Sequence, residues 1–127
     1  MERQAHYADP GHTGMPEAIR VGDAIYVKGM CGWADDMTIP ADMESQMRNT
    51  YARISRALAA FGANLSHVVE QTVFVTDIEA AMAVAGKVRQ DVYGQALPVG
   101  ATVEVSRLGV AGLMVEIKVS ARLGAQT

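Results

Sequence analysis

The sequence predicts an α+β fold in which two helices cover one face of a β-sheet, in the order β-β-α-β-α-β-β. Two amphipathic stretches have the apolar spacing of helices, and five short runs rich in β-branched residues have the composition of strands. Helices gathered on one face of a sheet are a stable arrangement for such an order. The length of 127 residues suits one domain over residues 1–127, since it is too short for two independent cores.

The chain begins with a predicted arm and a β-hairpin. Residues 1–16 are polar and interrupted by Gly and Pro, which indicates an arm that lies over a neighbouring surface or stays mobile. The following AIRVGDAIYVKG alternates isoleucine and valine with other residues on both sides of Gly22-Asp23. This pattern predicts two strands joined by a two-residue turn, with Gly where a positive φ is required.

A first helix is predicted from Ala41 to Phe61. Asp42 is suited to cap its N-terminus, and Gly62 is suited to end it. Apolar side chains repeat every three or four residues along this stretch, as on the buried face of a helix. These side chains are Met43, Met47, Tyr51, Ile54, Leu58 and Phe61.

The middle of the chain predicts a strand and a second helix. Residues 67–76, HVVEQTVFVT, are rich in β-branched side chains, which favours a strand. Asp77 is a candidate N-cap for a helix from Ile78 to Tyr93, and Gly94 follows its last turn.

Two further strands, Thr102 to Leu108 and Leu113 to Ala121, are predicted to be joined by a turn at Gly109–Gly112. Two helices cover only one face of such a sheet. The other face is predicted to mix polar and apolar side chains, which favours self-association and leaves ligand-sized gaps between subunits. Its expected residues are Tyr26, Lys28, Met30, Thr102, Glu104, Ser106, Met114, Glu116 and Lys118.

Composition and charge exclude several classes of function. Eleven basic and 14 acidic side chains give a net charge of −3, so general affinity for nucleic acid is not expected. No apolar run approaches the length of about 18 residues that a membrane span needs, and the start lacks the apolar core of a signal peptide. Cys31 is the only cysteine, and the three histidines have no metal-like spacing. We therefore expect a cytoplasmic protein without metal or cofactor.

Most of the chain resembles one protein family. The similarity runs through NTYARISRALAAFGANLSHVVEQTVFVTDIEAAMAVAGKVRQDVYG, then Leu97-Pro98, then TVEVSRLGVAGLMVEIKVSA. The most specific pieces are Gly62-Ala63 before the VVEQTVFVTD strand, the Leu97-Pro98 strand entry and the closing VEIKVSA. These residues are similar to the Rid proteins (reactive intermediate deaminases, also called YjgF-like or endoribonuclease L-PSP). The resemblance covers about Ile19 to Ala121.

The resemblance implies a fold, an assembly and a class of reaction. The family has a chorismate-mutase-like fold and forms homotrimers, whose sheets build a central barrel with three small-molecule clefts between subunits. Typical members hydrolyse enamine or imine intermediates, such as those released by pyridoxal-phosphate enzymes, to a keto acid and ammonia.

The family's site residues carry over unevenly onto this sequence. The resemblance implies that Glu116 is the catalytic residue of the final strand that positions water. The Arg that holds the substrate carboxylate two residues after the strand-entry Pro is replaced here by Gly100. The pocket Cys or Thr two residues later matches Thr102. A bidentate guanidinium–carboxylate pair is strong and directional, so its loss argues against ordinary 2-aminoacrylate deaminase activity.

Other substrate-binding positions also depart from the family. Met15 stands where an N-terminal Tyr is usual, and Met30, Cys31, Gly32 and Trp33 replace the Gly-rich end of the second strand. Trp33 could stack on a conjugated ligand or simply pack. Cys31 could line the pocket, act as a nucleophile or be a small apolar residue.

Three functions remain open from the sequence. The first is a Rid-like enzyme that deaminates, hydrolyses or isomerises a reactive imine, enamine or enol-type metabolite. The second is a non-catalytic metabolite-binding trimer, and the weakest is a ribonuclease or translation inhibitor. His12, in the arm, is a further candidate base.

Overall fold

A six-stranded mixed sheet with two helices packed on one face forms the structure, which confirms the predicted fold class. The computed structural model describes residues 1–8 and 14–125. Its sheet consists of β1 (Arg3–His6), β2 (Ala18–Val21), β3 (Ala24–Cys31), β4 (Val68–Val75), β5 (Val99–Glu104) and β6 (Val115–Arg122). The helices are α1 (Met43–Ala59) and α2 (Ile78–Tyr93), with a short 3₁₀ turn at Leu65–His67.

The predicted helices and their caps agree closely with the structure. Asp42 accepts a hydrogen bond from the backbone N–H of Ser45, and Asp77 accepts one from Ala80. Five of the six stripe residues of α1 are buried against the sheet, and Phe61 packs at its margin. Gly22 has the expected positive φ of 62° in the hairpin turn.

The order of the strands differs from the simple sequence expectation. They lie in the order β1-β2-β3-β6-β4-β5, with β4 and β5 parallel and the other pairs antiparallel. The last two strands are therefore not a hairpin, because β6 enters between β3 and β4 and leaves β5 at the edge. Alternate residues of β6 are buried, as its central position requires, and these are Val115, Ile117, Val119 and Ala121.

Two segments depart most from their predicted bounds. The strand expected at 102–108 spans Val99–Glu104, since Pro98 precedes an extended segment and β4 offers no partner beyond Val75, opposite Glu104. Part of the predicted arm, Arg3–His6, forms β1 and pairs with β2.

A β-bulge in β3 reverses which face its last residues occupy. Val27 lies opposite Val119, but Met30 lies opposite Ile117, so β3 holds one extra residue around Lys28 and Gly29. Met30 is consequently only 3% exposed and belongs to the core. Its predicted position on the open face is wrong, and Cys31 takes a place on that face instead.

The face of β5 was also predicted wrongly. Thr102 lies opposite Val73 in the parallel pair, on the side that the helices cover. Glu104 shares that side, and its carboxylate accepts a hydrogen bond from the backbone N–H of Ile78 at the start of α2. The valines of β5 lie on the uncovered face instead, where Val99 is 73% exposed and Val103 is 42% exposed.

Candidate functional site

Glu116 and Cys31 form the centre of one candidate site on the open face of the sheet. The two residues lie directly opposite each other on β6 and β3, and the Cys31 Sγ donates a hydrogen bond to Glu116 Oε1 at 3.5 Å. Gly29, in the bulge, lies beneath the carboxylate: a Cβ added there would lie 2.6 Å from Oε2. The bulge therefore both aims Cys31 at Glu116 and provides room for the carboxylate.

The thiol of Cys31 is a hydrogen-bond donor in this arrangement. Burial, followed by the charge of Glu116 and the hydrogen bond to it, raises the pKa of Cys31 to about 12. A thiol needs its thiolate form to act as a nucleophile, and at neutral pH that form is nearly absent here. The pair consequently favours Cys31 as a group that orients Glu116, rather than as a nucleophile.

The residues after Cys31 attach the end of β3 to α1. Gly32 is buried so closely against Gln46 that an added Cβ would lie 2.6 Å from its backbone oxygen. The Gly32 carbonyl accepts a hydrogen bond from Asn49 Nδ2 at 3.2 Å, and the carbonyl of half-buried Trp33 accepts one from Arg53 Nε at 3.3 Å. Gly32 thus fixes the strand end that carries Cys31.

The remaining predicted site residues are dispersed. Met30 lies in the core, whereas Met15 is 66% exposed before β2. His12 lies outside the described residues. Gly100 and Thr102 lie on β5, separated from Glu116 by β4 and directed to the helix-covered side. Within the described residues of one chain, Cys31 is the member of the predicted set that forms a hydrogen bond with Glu116.

Gly100 and Thr102 instead border a second candidate site at the sheet edge. They line a cavity of about 180 Å³ together with Gln71 of β4 and Arg89 of α2. Neither Gln71 nor Arg89 was identified from the sequence. The sequence does contain a pattern that points to Arg89. It follows the buried Ala81 and Ala85 at intervals of four residues, so it lies on the same face of α2, and it is the charged residue of the three.

A buried polar cluster lies beneath this second site. The hydroxyls of Tyr51 and Tyr93 both donate to Gln71 Oε1, at 2.7 and 2.8 Å. Burial raises the pKa of both tyrosines, and in Tyr51 the hydrogen bonds and the positive charge of Arg89 oppose that effect. Both hydroxyls consequently stay protonated and hold the Gln71 amide in one orientation.

Gly100 is required for the close approach of β5 to β4. A Cβ added there would overlap the carbonyl oxygen of Gln71, so any side chain forces the strands apart. We expect Gly100→Ala to lower the free energy of unfolding by about 1–3 kcal/mol, measured by urea denaturation at fixed protein concentration. The packing of β5 against β4 therefore favours glycine at this position, in addition to the loss of the guanidinium that the family's Arg would supply.

Gly86 supplies the matched control for this prediction. It lies exposed in the interior of α2, where an added Cβ meets nothing within 4 Å. Gly86→Ala should therefore raise stability by up to about 1 kcal/mol, through helix propensity alone. Equal effects of the two substitutions would contradict the steric role of Gly100.

A further cavity is lined by none of the residues assigned to the two candidate sites. It has a volume of about 630 Å³ and lies between the end of β4 at Thr76 and the loop from Ser106 to Met114. In the part of the chain that the structure describes, no three His, Cys, Asp or Glu side chains come together as metal ligands would. No helix there is both long and apolar enough to cross a bilayer.

Comparisons with known proteins agree on one family. The family described as Endoribonuclease L-PSP matches residues 12–123. The RutC family protein YjgH of Escherichia coli strain K12 is 31% identical over 124 residues, covering 98% of this chain and 92% of that protein. Rv2704 of Mycobacterium tuberculosis, described as a member of the YjgF/YER057c/UK114 family, aligns with a TM-score of 0.83 and 32% identity over 95% of this chain and 99% of that one. YyfA of Yersinia pestis, described as a Rid family protein of unknown function, aligns with a TM-score of 0.85 and 25% identity over 95% and 99% of the two chains.

Proposed function

Because the chain belongs to the Rid (YjgF-like, endoribonuclease L-PSP) family, we propose that it is a homotrimeric enzyme acting on reactive imine, enamine or enol-type metabolites. The reaction is a deamination, hydrolysis or isomerisation in clefts between subunits, in the cytoplasm. Since position 100 cannot supply the family's carboxylate-binding Arg, ordinary 2-aminoacrylate is not its expected main substrate.

The observation that carries this proposal is the carboxylate of Glu116, held by the Cys31 thiol on the uncovered face of the sheet. A carboxylate within reach of water and substrate can act as a general base and then as a general acid. In imine hydrolysis, Glu116 takes a proton from water as the water oxygen bonds to the imine carbon. The protonated Glu116 then returns that proton to nitrogen, which gives a carbinolamine. Glu116 next carries the proton of the new hydroxyl to the same nitrogen as the C–N bond breaks, and a carbonyl compound and ammonia leave.

The surface of the sheet supports the trimer. Tyr26 is 52% exposed on the open face, and Val99 and Val103 of β5 are exposed on the same face, with two strands between. Among the described strands, β5 also ends the sheet with one unpaired edge, which is a template for contact with another chain. Association of copies would cover these groups, and would allow Glu116 of one subunit to approach the β5 edge of the next.

Two measurements on the purified protein test the proposal. Sedimentation equilibrium is expected to give the mass of three chains. Imines generated in situ from amino acids by an amino-acid oxidase should lose their ultraviolet absorbance faster when the protein is added, with matching release of ammonia. A monomer in solution overturns the assembly, and saturable ligand binding without turnover of any imine, enamine or enol identifies the non-catalytic alternative. Cleavage of RNA in place of imine turnover would support the ribonuclease alternative.

A further inference from the structure

Lys28 brings an ammonium group to the uncovered face of the sheet. The side chain of Val27 is buried in the core, so the next side chain along β3, that of Lys28, lies on the opposite face. Gly29 follows, and the Glu116 carboxylate lies directly over it, since a Cβ added there would be 2.6 Å from Oε2. The bulge therefore places Lys28 one residue from the point where the Glu116 side chain reaches β3.

No carboxylate of the described residues is paired with this ammonium. The Lys28 backbone N–H donates to the carbonyl of Glu17 at 2.9 Å, but Nζ forms no ion pair within residues 1–8 and 14–125. The half-buried side chain is close enough to act on the site, because its positive charge, with that of Arg53, opposes the rise in the pKa of Cys31. Lys28 thus adds a cation to the thiol–carboxylate pair.

The sign of this charge distinguishes the reactions that Glu116 could assist. Water attacks an imine most readily in its protonated, positively charged form, which a neighbouring ammonium repels. Removal of a proton from the carbon next to a carbonyl instead places negative charge on the carbonyl oxygen, and a fixed cation stabilises that charge. A carboxylate base and an ammonium on one face therefore favour enolisation over imine hydrolysis.

We propose that Lys28 is a catalytic residue and that the substrates are carbonyl compounds with a C–H bond next to the carbonyl, interconverted between keto and enol forms. Glu116 takes the proton from carbon, the C–H electron pair becomes the C=C bond, and the carbonyl π electrons move to oxygen. Lys28 Nζ donates a hydrogen bond to that oxygen and then transfers a proton to it, which completes the enol. The proton on Glu116 returns to Lys28 through water. This inference names the substrate class of the proposed function and rests on Glu116 as its proton-transfer group.

The exchange of carbon-bound hydrogen for deuterium tests the proposal. The probes are 2-oxobutanoate, phenylpyruvate and 2-butanone, which differ in charge and size, and ¹H NMR in D₂O follows loss of the signal next to the carbonyl. The unaltered protein should accelerate exchange in at least one probe, and Lys28→Met should reduce that acceleration by about 10²-fold or more. No acceleration of any probe by the unaltered protein, or full acceleration by Lys28→Met, overturns the proposal.

Two further variants separate the charge of Lys28 from general effects of substitution. Lys28→Arg keeps the positive charge and should retain more exchange activity than Lys28→Met. Lys87→Met is the matched control, since Lys87 is exposed on α2, where Nζ lies 3.4 Å from Glu44, and it should leave exchange unchanged. Equal losses for Lys28→Met and Lys87→Met contradict a role at the site.

A binding measurement that needs no substitution guards against a poorly folded variant. Reductive methylation with ¹³C-formaldehyde labels lysine amines and keeps their positive charge. Oxalate, a planar mimic of an enolate, should shift the Lys28 signal saturably and leave the Lys87 signal unchanged, at an ionic strength held constant with chloride. An unchanged Lys28 signal overturns the proposal.

The imine assay separates this inference from the proposed function. If imines are hydrolysed but exchange is absent or independent of Lys28, the enolisation site is wrong and the deaminating enzyme stands. If exchange depends on Lys28 while no imine is hydrolysed, the enolisation site stands and the deaminating reaction is wrong. If neither reaction occurs, both are wrong.

Discussion

Glu116→Gln is expected to lower kcat for imine hydrolysis by about 10²–10⁴-fold, with little change in KM. Glutamine keeps the size of the side chain and an oxygen that can accept the Cys31 hydrogen bond, but it cannot take a proton from water or return one to nitrogen. The rate of imine loss under saturating substrate measures the effect. The expected loss is large because the proton transfers of the proposed reaction pass through this carboxylate.

Glu79→Gln is the matched control for this substitution. Glu79 is exposed in the first turn of α2, away from both candidate sites, so its removal should leave kcat unchanged. A Glu116→Gln variant with normal kcat would show that Glu116 is not the proton-transfer group.

The pH dependence of Cys31 alkylation provides a second measurement for Glu116→Gln. Burial is the main reason for the pKa of about 12, and the charge of Glu116 is the next. Removing that charge should lower the midpoint of the alkylation rate while leaving it above the ordinary value of 9.0. A midpoint that falls but stays above 9.0, together with lost turnover, indicates that Cys31 is still buried in a folded variant and that the lost group is the carboxylate.

Gln46→Leu is expected to lower the free energy of unfolding by about 3–5 kcal/mol. The fully buried Gln46 side chain donates to the carbonyls of Pro40 and Gly112 and accepts from the N–H of Met114, at 2.8, 2.9 and 2.8 Å. It therefore joins α1 to the segments before α1 and β6. Leucine leaves three backbone groups without partners, at about 1–3 kcal/mol each where water cannot replace the lost bond.

Thermal unfolding at fixed protein concentration measures the effect of Gln46→Leu. The Tm is expected to fall by about 10 °C or more, and Gln90→Leu, at an exposed position of α2, should change stability by less than about 0.5 kcal/mol. Equal shifts for the two variants would mean that Gln46 makes no special contribution. The same substitution should also reduce turnover, since Gln46 supports the strand end that carries Cys31 and the segment that leads to Glu116.

Local sequence determined the helices, their caps and the hairpin. Asp42 and Asp77 cap helices because an Asp side chain can bond a free N–H two or three residues later, whatever the rest of the fold does. The apolar stripe of α1 likewise follows from helical geometry alone. The alternation of side chains in β6 correctly predicted that Glu116 lies on the uncovered face, because this strand is regular from Val115 onwards.

The bulge at Lys28 and Gly29 could not be foreseen from local pattern. One extra residue reverses the alternation, which moves Met30 into the core and aims Cys31 at Glu116. The alternation of side chains along β3 gives no sign of this reversal. With or without the extra residue, an apolar side chain falls on each face of the sheet.

The two sites thus have different origins. The sequence by itself determined the family, the two helices with their caps and the placement of Glu116 on the uncovered face, because these depend on short stretches of neighbouring residues. Only the tertiary structure brought Gln71, Thr102 and Arg89 together, because the insertion of β6 leaves β5 at the edge and α2 packs across it. Contacts between elements distant along the chain depend on strand order, and no local pattern in this sequence encodes that order.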